Sequence, residues 1–153
     1  MPNTEAELAP PADEDYIHVV AAIVWHQQHD NRFLIAQRQQ GKHLEHYWEL
    51  PGGKLEADES PWQGLRRELV EEINIEITSA TPYMQVYHRY PERNILLDTW
   101  CVDDYLGEVR AQEQQALSWI DIDEIEQYRF PSADVPILEA IKRSATAKTR
   151  RLP

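Results

Sequence analysis

The apolar positions of the chain fall into short strand-like runs separated by polar segments. Two runs rich in β-branched residues, 18–25 and 32–38, flank the polar sequence HQQHDN, a spacing typical of a β-hairpin. Three further apolar runs also predict strands: residues 77–90, 94–106 and 116–122. Helical patterns occupy residues 121–128 and 133–143. The whole pattern predicts an α/β (α+β) fold in which a mixed β-sheet is sandwiched between helices.

The best-marked helix is predicted over residues 61–73. Ser60 suits its N-cap, Pro61 its first position and Gln63 the partner of a capping box. At the far end, Asn74 suits the left-handed conformation that terminates many helices. An apolar stripe is expected to face the core, formed by Trp62, Leu65, Leu69 and Ile73.

The opposite face of this helix is acidic. Glu68, Glu71 and Glu72 fall within an arc of roughly 100°, and Gly64 on the same face is interpreted as leaving room beside them. An ordinary solvated face is the alternative interpretation. The upstream Pro-Gly-Gly-Lys turn and the embedded Arg67 favour a binding site, because hard cations such as Mg²⁺ take carboxylate oxygens together with substrate phosphates.

Length and composition limit the organisation of the chain. Its 153 residues, 42% of them hydrophobic, suffice for one substantial core. We expect a single domain over residues 16–143, between a disordered arm at 1–15 and a basic tail at 144–153. No apolar run approaches the roughly 18 residues of a membrane span. With Cys101 as the single cysteine, the chain is expected to be cytoplasmic.

The net charge of the chain argues against long nucleic acids as partners. The formal net charge of −12 disfavours binding to long nucleic acids, whose affinity for proteins comes mainly from Lys and Arg side chains. If phosphate is the substrate, a metal ion must mediate between it and this acidic surface. We therefore expect a small-molecule partner, with no polynucleotide and no membrane.

The residues around the acidic helix resemble the Nudix signature, G-x5-E-x7-R-E-U-x-E-E-x-G-U, where U is a bulky aliphatic residue. Its fixed positions are occupied in register by Gly53, Glu59, Arg67, Glu68, Leu69, Glu71, Glu72 and Ile75. Asn74 stands in place of the second glycine, and asparagine tolerates the left-handed conformation. The wider chain, from about residue 18 to residue 141, is similar to the MutT-like branch of that family.

This resemblance implies a Nudix fold and a reaction. Members of the branch hydrolyse nucleoside triphosphates, such as 8-oxo-dGTP or CTP-like nucleotides, to a monophosphate and pyrophosphate, which sanitises the nucleotide pool. The implied cofactor is Mg²⁺, with Mn²⁺ as an alternative. The implied partner is a small nucleotide, and the protein is expected to be a monomer or a homodimer.

The resemblance also assigns roles at the phosphate end of the site. Cations would be held by Glu68, Glu71, Glu72, Glu113 and Gly52. Either Glu68 or Glu113 would act as the general base. Arg67 and Glu59 would form an orienting ion pair, and Lys54 would contact phosphate.

At the base end the resemblance singles out three residues. Asp134 stands where the branch has an asparagine that reads the oxidised guanine edge. An ionised aspartate would only accept hydrogen bonds, which suits the cytosine N4 amino group or the guanine N1/N2 side and disfavours strict selectivity for 8-oxoguanine. An acid stabilised by a helix N-terminus is the alternative for Asp134. Arg38 matches a substrate-contacting position. Tyr90 is predicted either to stack on the base or to pack against the sheet.

Two other functions stay open. One alternative is a Nudix enzyme for nucleotide sugars, dinucleoside polyphosphates or RNA 5′ ends, and the other is a nucleotide sensor that has lost catalysis. The presence of every signature carboxylate disfavours the sensor.

Overall fold

The computed structural model describes residues 15–151 of the chain, with side chains for residues 15–144. Residues 1–14 of the predicted arm and residues 152–153 of the predicted tail lie outside the described residues. The elements follow in this order: β1 Ile17–Val24, β2 Arg32–Gln37, β3 Trp48–Glu49, β4 Gly52–Lys54, α1 Pro61–Ile73, β5 Glu76–Arg89, β6 Asn94–Leu106, β7 Leu117–Asp121, 3-10 turns Ile122–Gln127 and Ser132–Asp134, and α2 Val135–Arg151.

The strands form two sheets. One is mixed and has the order β4-β1-β6-β5, with β1 and β6 parallel from Ile17↔Ile95 to Val24↔Val102. The other is antiparallel and has the order β3-β2-β7. The mixed α/β (α+β) class predicted from the sequence is confirmed, and the single predicted sheet is replaced by two.

The predicted hairpin of the first two strands is wrong in its pairing. The polar turn does reverse the chain, and a single bridge joins Trp25 to Phe33. Beyond it, β1 pairs with β4 and β6, whereas β2 pairs with β3 and β7. A strand has only two edges, so once β1 holds these two neighbours it has none left for β2.

The sheets lie between the two helices, as predicted. Alternate residues of β1 point to opposite faces: Val20, Ala22 and Val24 pack with the α1 side, and Ala21 and Ile23 with the α2 side. The α1 stripe contributes Leu65, Leu69 and Ile73, and α2 contributes Ile137, Leu138 and Ile141. Both faces of the central strand are therefore covered, which explains its unbroken apolar run.

Helix α1 has the predicted bounds and caps. The Ser60 hydroxyl accepts a hydrogen bond from the Gln63 backbone N–H, and the Gln63 side-chain oxygen accepts one from the Ser60 backbone N–H. Asn74 adopts φ 67° and ψ 26°. The interpretation of Gly64 is wrong: it is buried, and a Cβ there would lie 2.2 Å from Leu55 Cδ2 and 3.0 Å from Glu59 Oε1. The room beside Gly64 is filled by the preceding loop and is not open to a ligand.

Helix α2 is longer than predicted. It begins at Val135, with Pro136 in its first turn as expected, and continues to Arg151 instead of ending at residue 143. In the stretch from residue 15 to residue 151, no helix is long and apolar enough to cross a membrane.

Candidate active site

The acidic face of α1 packs against the glycines of β4. Gly52 N–H donates to Glu72 Oε1 at 3.2 Å, and a Cβ on Gly53 would lie 2.4 Å from the carboxylate of Glu68. A Cβ on Gly52 would lie 2.0 Å from the backbone oxygen of Val20. A side chain at Gly52 would therefore collide with the backbone of β1, and a side chain at Gly53 would collide with the carboxylate of Glu68 on α1.

Arg67 organises the carboxylates beside it. Its guanidinium forms a two-pronged ion pair with Glu59, at 2.7 and 2.9 Å, as the sequence predicts. It also donates to Glu68 at 3.0 Å and to Glu71 at 3.3 Å, and to the backbone oxygen of Lys54 at 3.1 Å. Through these bonds, the guanidinium of Arg67 connects the loop before α1, strand β4 and helix α1 itself.

Burial alters the acidity of this cluster. The pKa of Glu72 is raised to about 8, mainly by burial and then by the negative charges of Glu49 and Glu113. Burial also raises the pKa of Glu68, against the opposing effect of Arg67. Glu59, bonded to Arg67, has its pKa lowered to about 2. Like charges are therefore crowded on the cavity side of α1, and Arg67 compensates only part of them.

The donor atoms suit a hard divalent cation. Five glutamates line one cavity, Glu49 and the predicted Glu68, Glu71, Glu72 and Glu113, and carboxylate oxygens are the ligand type that Mg²⁺ and Mn²⁺ prefer. Within the described residues, no three acidic, histidine or cysteine side chains converge closely enough to hold a cation as they stand. The set fits a cation in chemistry and charge, and its carboxylates are at present engaged by Arg67 and Gly52.

A cavity of about 590 Å³ connects this cluster to the other predicted residues, a size within the usual range for small-molecule sites. The predicted site residues that line it are Arg38, Gly52, Lys54, Glu68, Glu71, Glu72, Tyr90, Glu113 and Asp134. Glu59 and Arg67 are not among its lining residues and support it from the helix side. The fold thus gathers residues that are up to 96 positions apart, from Arg38 to Asp134.

The other end of the cavity carries Asp134 beside Tyr90 and Ala133. This carboxyl is only 6% exposed, and burial raises its pKa to about 8, helped by Glu49 and opposed by a hydrogen bond from the Leu50 backbone. Tyr90 packs edge-on against His43 and its hydroxyl accepts a hydrogen bond from Ala133 N at 3.0 Å. Tyr90 therefore both lines the cavity and anchors the turn that presents Asp134.

Arg38 links the cavity wall to a neighbouring loop. Its guanidinium donates to Glu49 at 2.7 Å and to the backbone oxygen of His43 at 2.6 Å. Burial raises the pKa of Glu49, while Arg38 acts to lower it. This ion pair lies between the acidic cluster and Asp134, since Glu49 acts electrostatically on both.

Comparisons with known proteins agree with this architecture. The family model of the NUDIX domain matches residues 20–140. A CTP pyrophosphohydrolase of Escherichia coli (strain K12) is 40% identical over 132 residues, covering 86% of this chain and 96% of its own. An 8-oxo-dGTP diphosphatase of Proteus vulgaris is 41% identical over 101 residues, covering 66% of this chain and 88% of its own.

Solved structures show the same fold. A MutT structure, from work on Aliivibrio salmonicida and Vibrio cholerae, superimposes with a TM-score of 0.74 at 31% identity, covering 85% of this chain and 99% of that one. The chain belongs to the Nudix family. It is a Nudix hydrolase of the MutT-like kind, a pyrophosphohydrolase that acts on nucleotides, and members of this family generally use a divalent metal.

Three charged residues that line the cavity of this Nudix hydrolase were missed at the level of sequence: Lys42, Glu49 and Arg93. Glu49 had a usable signal. Its neighbour Trp48 packs against the core, and strand alternation turns Glu49 to the other face. Lys42 and Arg93 lie in loops, where no periodic pattern indicates the direction of a side chain.

Proposed function

We propose that this Nudix hydrolase cleaves nucleoside triphosphates to a monophosphate and pyrophosphate in a Mg²⁺-dependent reaction, and that it removes modified nucleotides from the pool. The observation that carries the proposal is the two-ended cavity. One end presents the glutamates of α1 together with Lys54, and the other presents Asp134 and Tyr90, with the ion pair of Arg38 and Glu49 between them. A triphosphate at the first end would put its base at the second.

At the phosphate end, Glu68, Glu71, Glu72, Glu113 and Gly52 would hold the cation, for which Mn²⁺ could substitute. A bound divalent cation supplies polarisation of the phosphoryl oxygens and compensates the charge of the leaving pyrophosphate. Lys54 contacts the phosphates. Either Glu68 or Glu113 accepts a proton as the water oxygen bonds to phosphorus and the bridging P–O bond breaks. Arg67, held by Glu59, keeps the helix carboxylates oriented.

At the base end, the state of Asp134 changes what it recognises. With its pKa raised to about 8, this carboxyl is mostly protonated at neutral pH, so it offers one donor and one acceptor. An ionised aspartate, assumed from the sequence, would only accept. A protonated Asp134 resembles the asparagine of the MutT-like branch, so its presence is compatible with an oxidised guanine as well as with cytosine.

The names of two relatives support cytosine and oxidised guanine as the bases. The Escherichia coli relative is named for CTP and the Proteus vulgaris relative for 8-oxo-dGTP. We therefore propose oxidised guanine and cytosine triphosphates as the leading substrates. The family of the chain leaves nucleotide sugars and dinucleoside polyphosphates as the competing class.

The deciding experiment is a nucleotide panel. Release of monophosphate and pyrophosphate would be measured with Mg²⁺ for CTP, dCTP, dGTP and 8-oxo-dGTP, and release of AMP and ribose 5-phosphate for ADP-ribose. Binding of each nucleotide would be measured beside it in EDTA. We expect fastest turnover of CTP or 8-oxo-dGTP. Faster cleavage of ADP-ribose would replace the triphosphate proposal, and binding without turnover of any nucleotide would favour a sensor.

Asp134→Asn would be run on the same panel, with Asp123→Asn, a change at an exposed acid of the 3-10 turn, as its control. We expect the Asp134 variant to change the ratio of the kcat/KM values for CTP and 8-oxo-dGTP, and the control to leave it unchanged. An unaltered ratio in the Asp134 variant would remove this residue from base recognition.

A further inference from the structure

The segment that carries Glu113 lies across the C-terminal end of α1. The N–H groups of Arg110 and Gln112 donate to the backbone oxygens of Ile73 and Glu72, each at 3.0 Å. Gly107 allows this close approach, because a Cβ there would lie 2.9 Å from Asn74 O. The last carbonyls of the helix, which have no partner within the helix itself, are thus satisfied by residues of this segment.

Asn74 strengthens the same contact. Its side chain donates to the backbone oxygen of Glu108 at 3.1 Å and lies 3.5 Å from the side-chain amide of Gln112. A glycine, which the Nudix signature has at this position, would supply neither contact. The departure from the signature therefore adds a side-chain link between the end of α1 and the Glu113 segment.

Gln115 makes the central link. Gln115 is buried, with 8% of its surface exposed, although the two residues before it, Glu113 and Gln114, are exposed. Its Oε1 accepts from the N–H of Glu113 at 3.0 Å, and its Nε2 donates to the backbone oxygen of Glu72 at 3.0 Å. One buried amide therefore joins the backbones of two of the proposed metal ligands.

This link fixes a side chain that little else holds. Glu113 is exposed on a loop, yet it lines the same cavity as Glu68 and Glu72. A carboxylate on an exposed loop is free to turn toward solvent unless its backbone is fixed. Gln115 supplies one of the bonds that fix the Glu113 backbone.

We propose that Gln115 is a positioning residue, whose buried amide holds the backbone of Glu113 against the end of α1 and so keeps the Glu113 carboxylate at the phosphate end of the cavity. The proposal rests on the proposed function in one respect, the role of Glu113 in the reaction. Gln115 itself is not among the residues that line the cavity, so it would act through Glu113.

The test compares one chemical change at two neighbouring positions. Gln115→Asn keeps the amide but shortens its reach by one methylene, whereas Gln114→Asn makes the same change on an exposed side chain at φ 62°, a conformation that asparagine tolerates. With the best nucleotide of the panel and Mg²⁺, we expect Gln115→Asn to lower kcat on the order of 10-fold with little change in KM. Gln114→Asn should behave as the wild-type protein.

A double-mutant cycle separates positioning from general damage to the fold. In the Glu113→Gln background, Gln115→Asn should cause no further loss of kcat, because the group that it positions is already gone. An equal loss in both backgrounds would overturn the proposal, as would a wild-type kcat for Gln115→Asn alone while Glu113→Gln is impaired.

Hydrogen exchange supplies a measurement that needs no turnover. In the cation-free protein, exchange of the Glu113 amide should be faster in Gln115→Asn than in the wild type or in Gln114→Asn. Unchanged exchange would show that Gln115 does not hold Glu113 and would overturn the proposal. If Glu113→Gln keeps wild-type kcat, the role of Glu113 in the proposed function fails, and the positioning role fails with it, whatever the exchange rates show about the link.

Discussion

At the scale of single residues, burial and partners give identical side chains different properties. Glu59 and Glu72 are both signature glutamates, yet the pKa of Glu59 is lowered to about 2 by its bonds to Arg67, while that of Glu72 is raised to about 8 by burial. Asp134 behaves like Glu72. The acid that supports the helix is thus ionised, and the buried acids of the cavity hold their protons near neutral pH.

Glu71→Gln should keep the fold and lose the reaction. The Glu71 side chain is 56% exposed, so its neutral replacement leaves the core intact. Loss of a cation ligand removes several kcal/mol of charge stabilisation, which corresponds to a fall in kcat of about 100-fold or more. Glu76→Gln is the matched control, since Glu76 is also 56% exposed and pairs with Arg66. A wild-type kcat in Glu71→Gln would contradict the mechanism.

Asp134→Asn should change how stability depends on pH. The folded pKa of about 8 lies above the ordinary value of 3.8, so the unfolded chain releases this proton first as pH rises. The wild-type protein therefore loses stability from Asp134 between about pH 4 and pH 8, a loss that a neutral side chain avoids.

Urea unfolding of both proteins at pH 4, 6 and 8 measures this effect. The stability of the variant relative to the wild type should increase with pH, by about 1 kcal/mol or more across the window. A difference that stays constant from pH 4 to pH 8 would show that Asp134 is ionised in the folded protein.

At the scale of elements, the short strand β4 connects the helix to the sheet. It pairs with β1 through Val19↔Lys54, Val20↔Gly53 and Ala21↔Gly52, and its glycines touch both β1 and the acidic face of α1. The strand has little core of its own. Its main contribution is to fix the distance between the central strand and the carboxylates of α1.

Alanine substitutions at the two glycines of β4 should have different effects. In Gly52→Ala the new methyl group meets the backbone of Val20, which cannot move easily, so we expect a loss of stability of about 1–3 kcal/mol. In Gly53→Ala it meets the end of the flexible Glu68 side chain, so we expect activity to fall with a smaller change in stability. Thermal unfolding and kcat of both variants would check this, and equal losses of stability would contradict it.

At the scale of the whole molecule, the layered fold makes one cavity from segments on the two sides of the sheets. Helix α1 supplies the phosphate end from one side of the sheets, and the turn before α2 supplies Asp134 from the other. The cavity lies where β1, β4 and these segments meet. A chain with a net charge of −12 thereby concentrates part of its negative charge where a cation and a phosphate would meet.

Magnesium should stabilise the protein specifically. A ligand that binds only the folded state raises the free energy of unfolding, by about 2.7 kcal/mol at a concentration 100 times its Kd, which corresponds to a rise in Tm of several degrees for a domain of this size, roughly 2–4 °C per kcal/mol. Sodium chloride at matched ionic strength is the control, because salt also screens the repulsion between negative charges. An equal rise in Tm with both salts would speak against a specific cation site.

Much of the site follows from local sequence. The caps and the two faces of α1 are properties of residues within four positions of one another, and Ser60, Gln63 and Asn74 set its bounds as predicted. The acidic face, the two glycines and Arg67 are likewise close together in the chain, which is why the phosphate chemistry could be predicted from the signature. The pairing of β1 depended on distant partners and was missed, and Glu49 was missed although strand alternation indicates the direction of its side chain.

The sequence by itself determined the secondary structure of the acidic helix, the mixed fold class, the Nudix resemblance and the kinds of atom offered to a cation. Only the tertiary structure decided that β1 and β2 separate into two sheets, that burial raises the pKa of Asp134, and that Gln115 joins Glu113 to α1. The reason is physical: helix caps and periodicity act over a few residues, whereas strand partners, desolvation and buried hydrogen bonds depend on segments that meet only when the chain has folded.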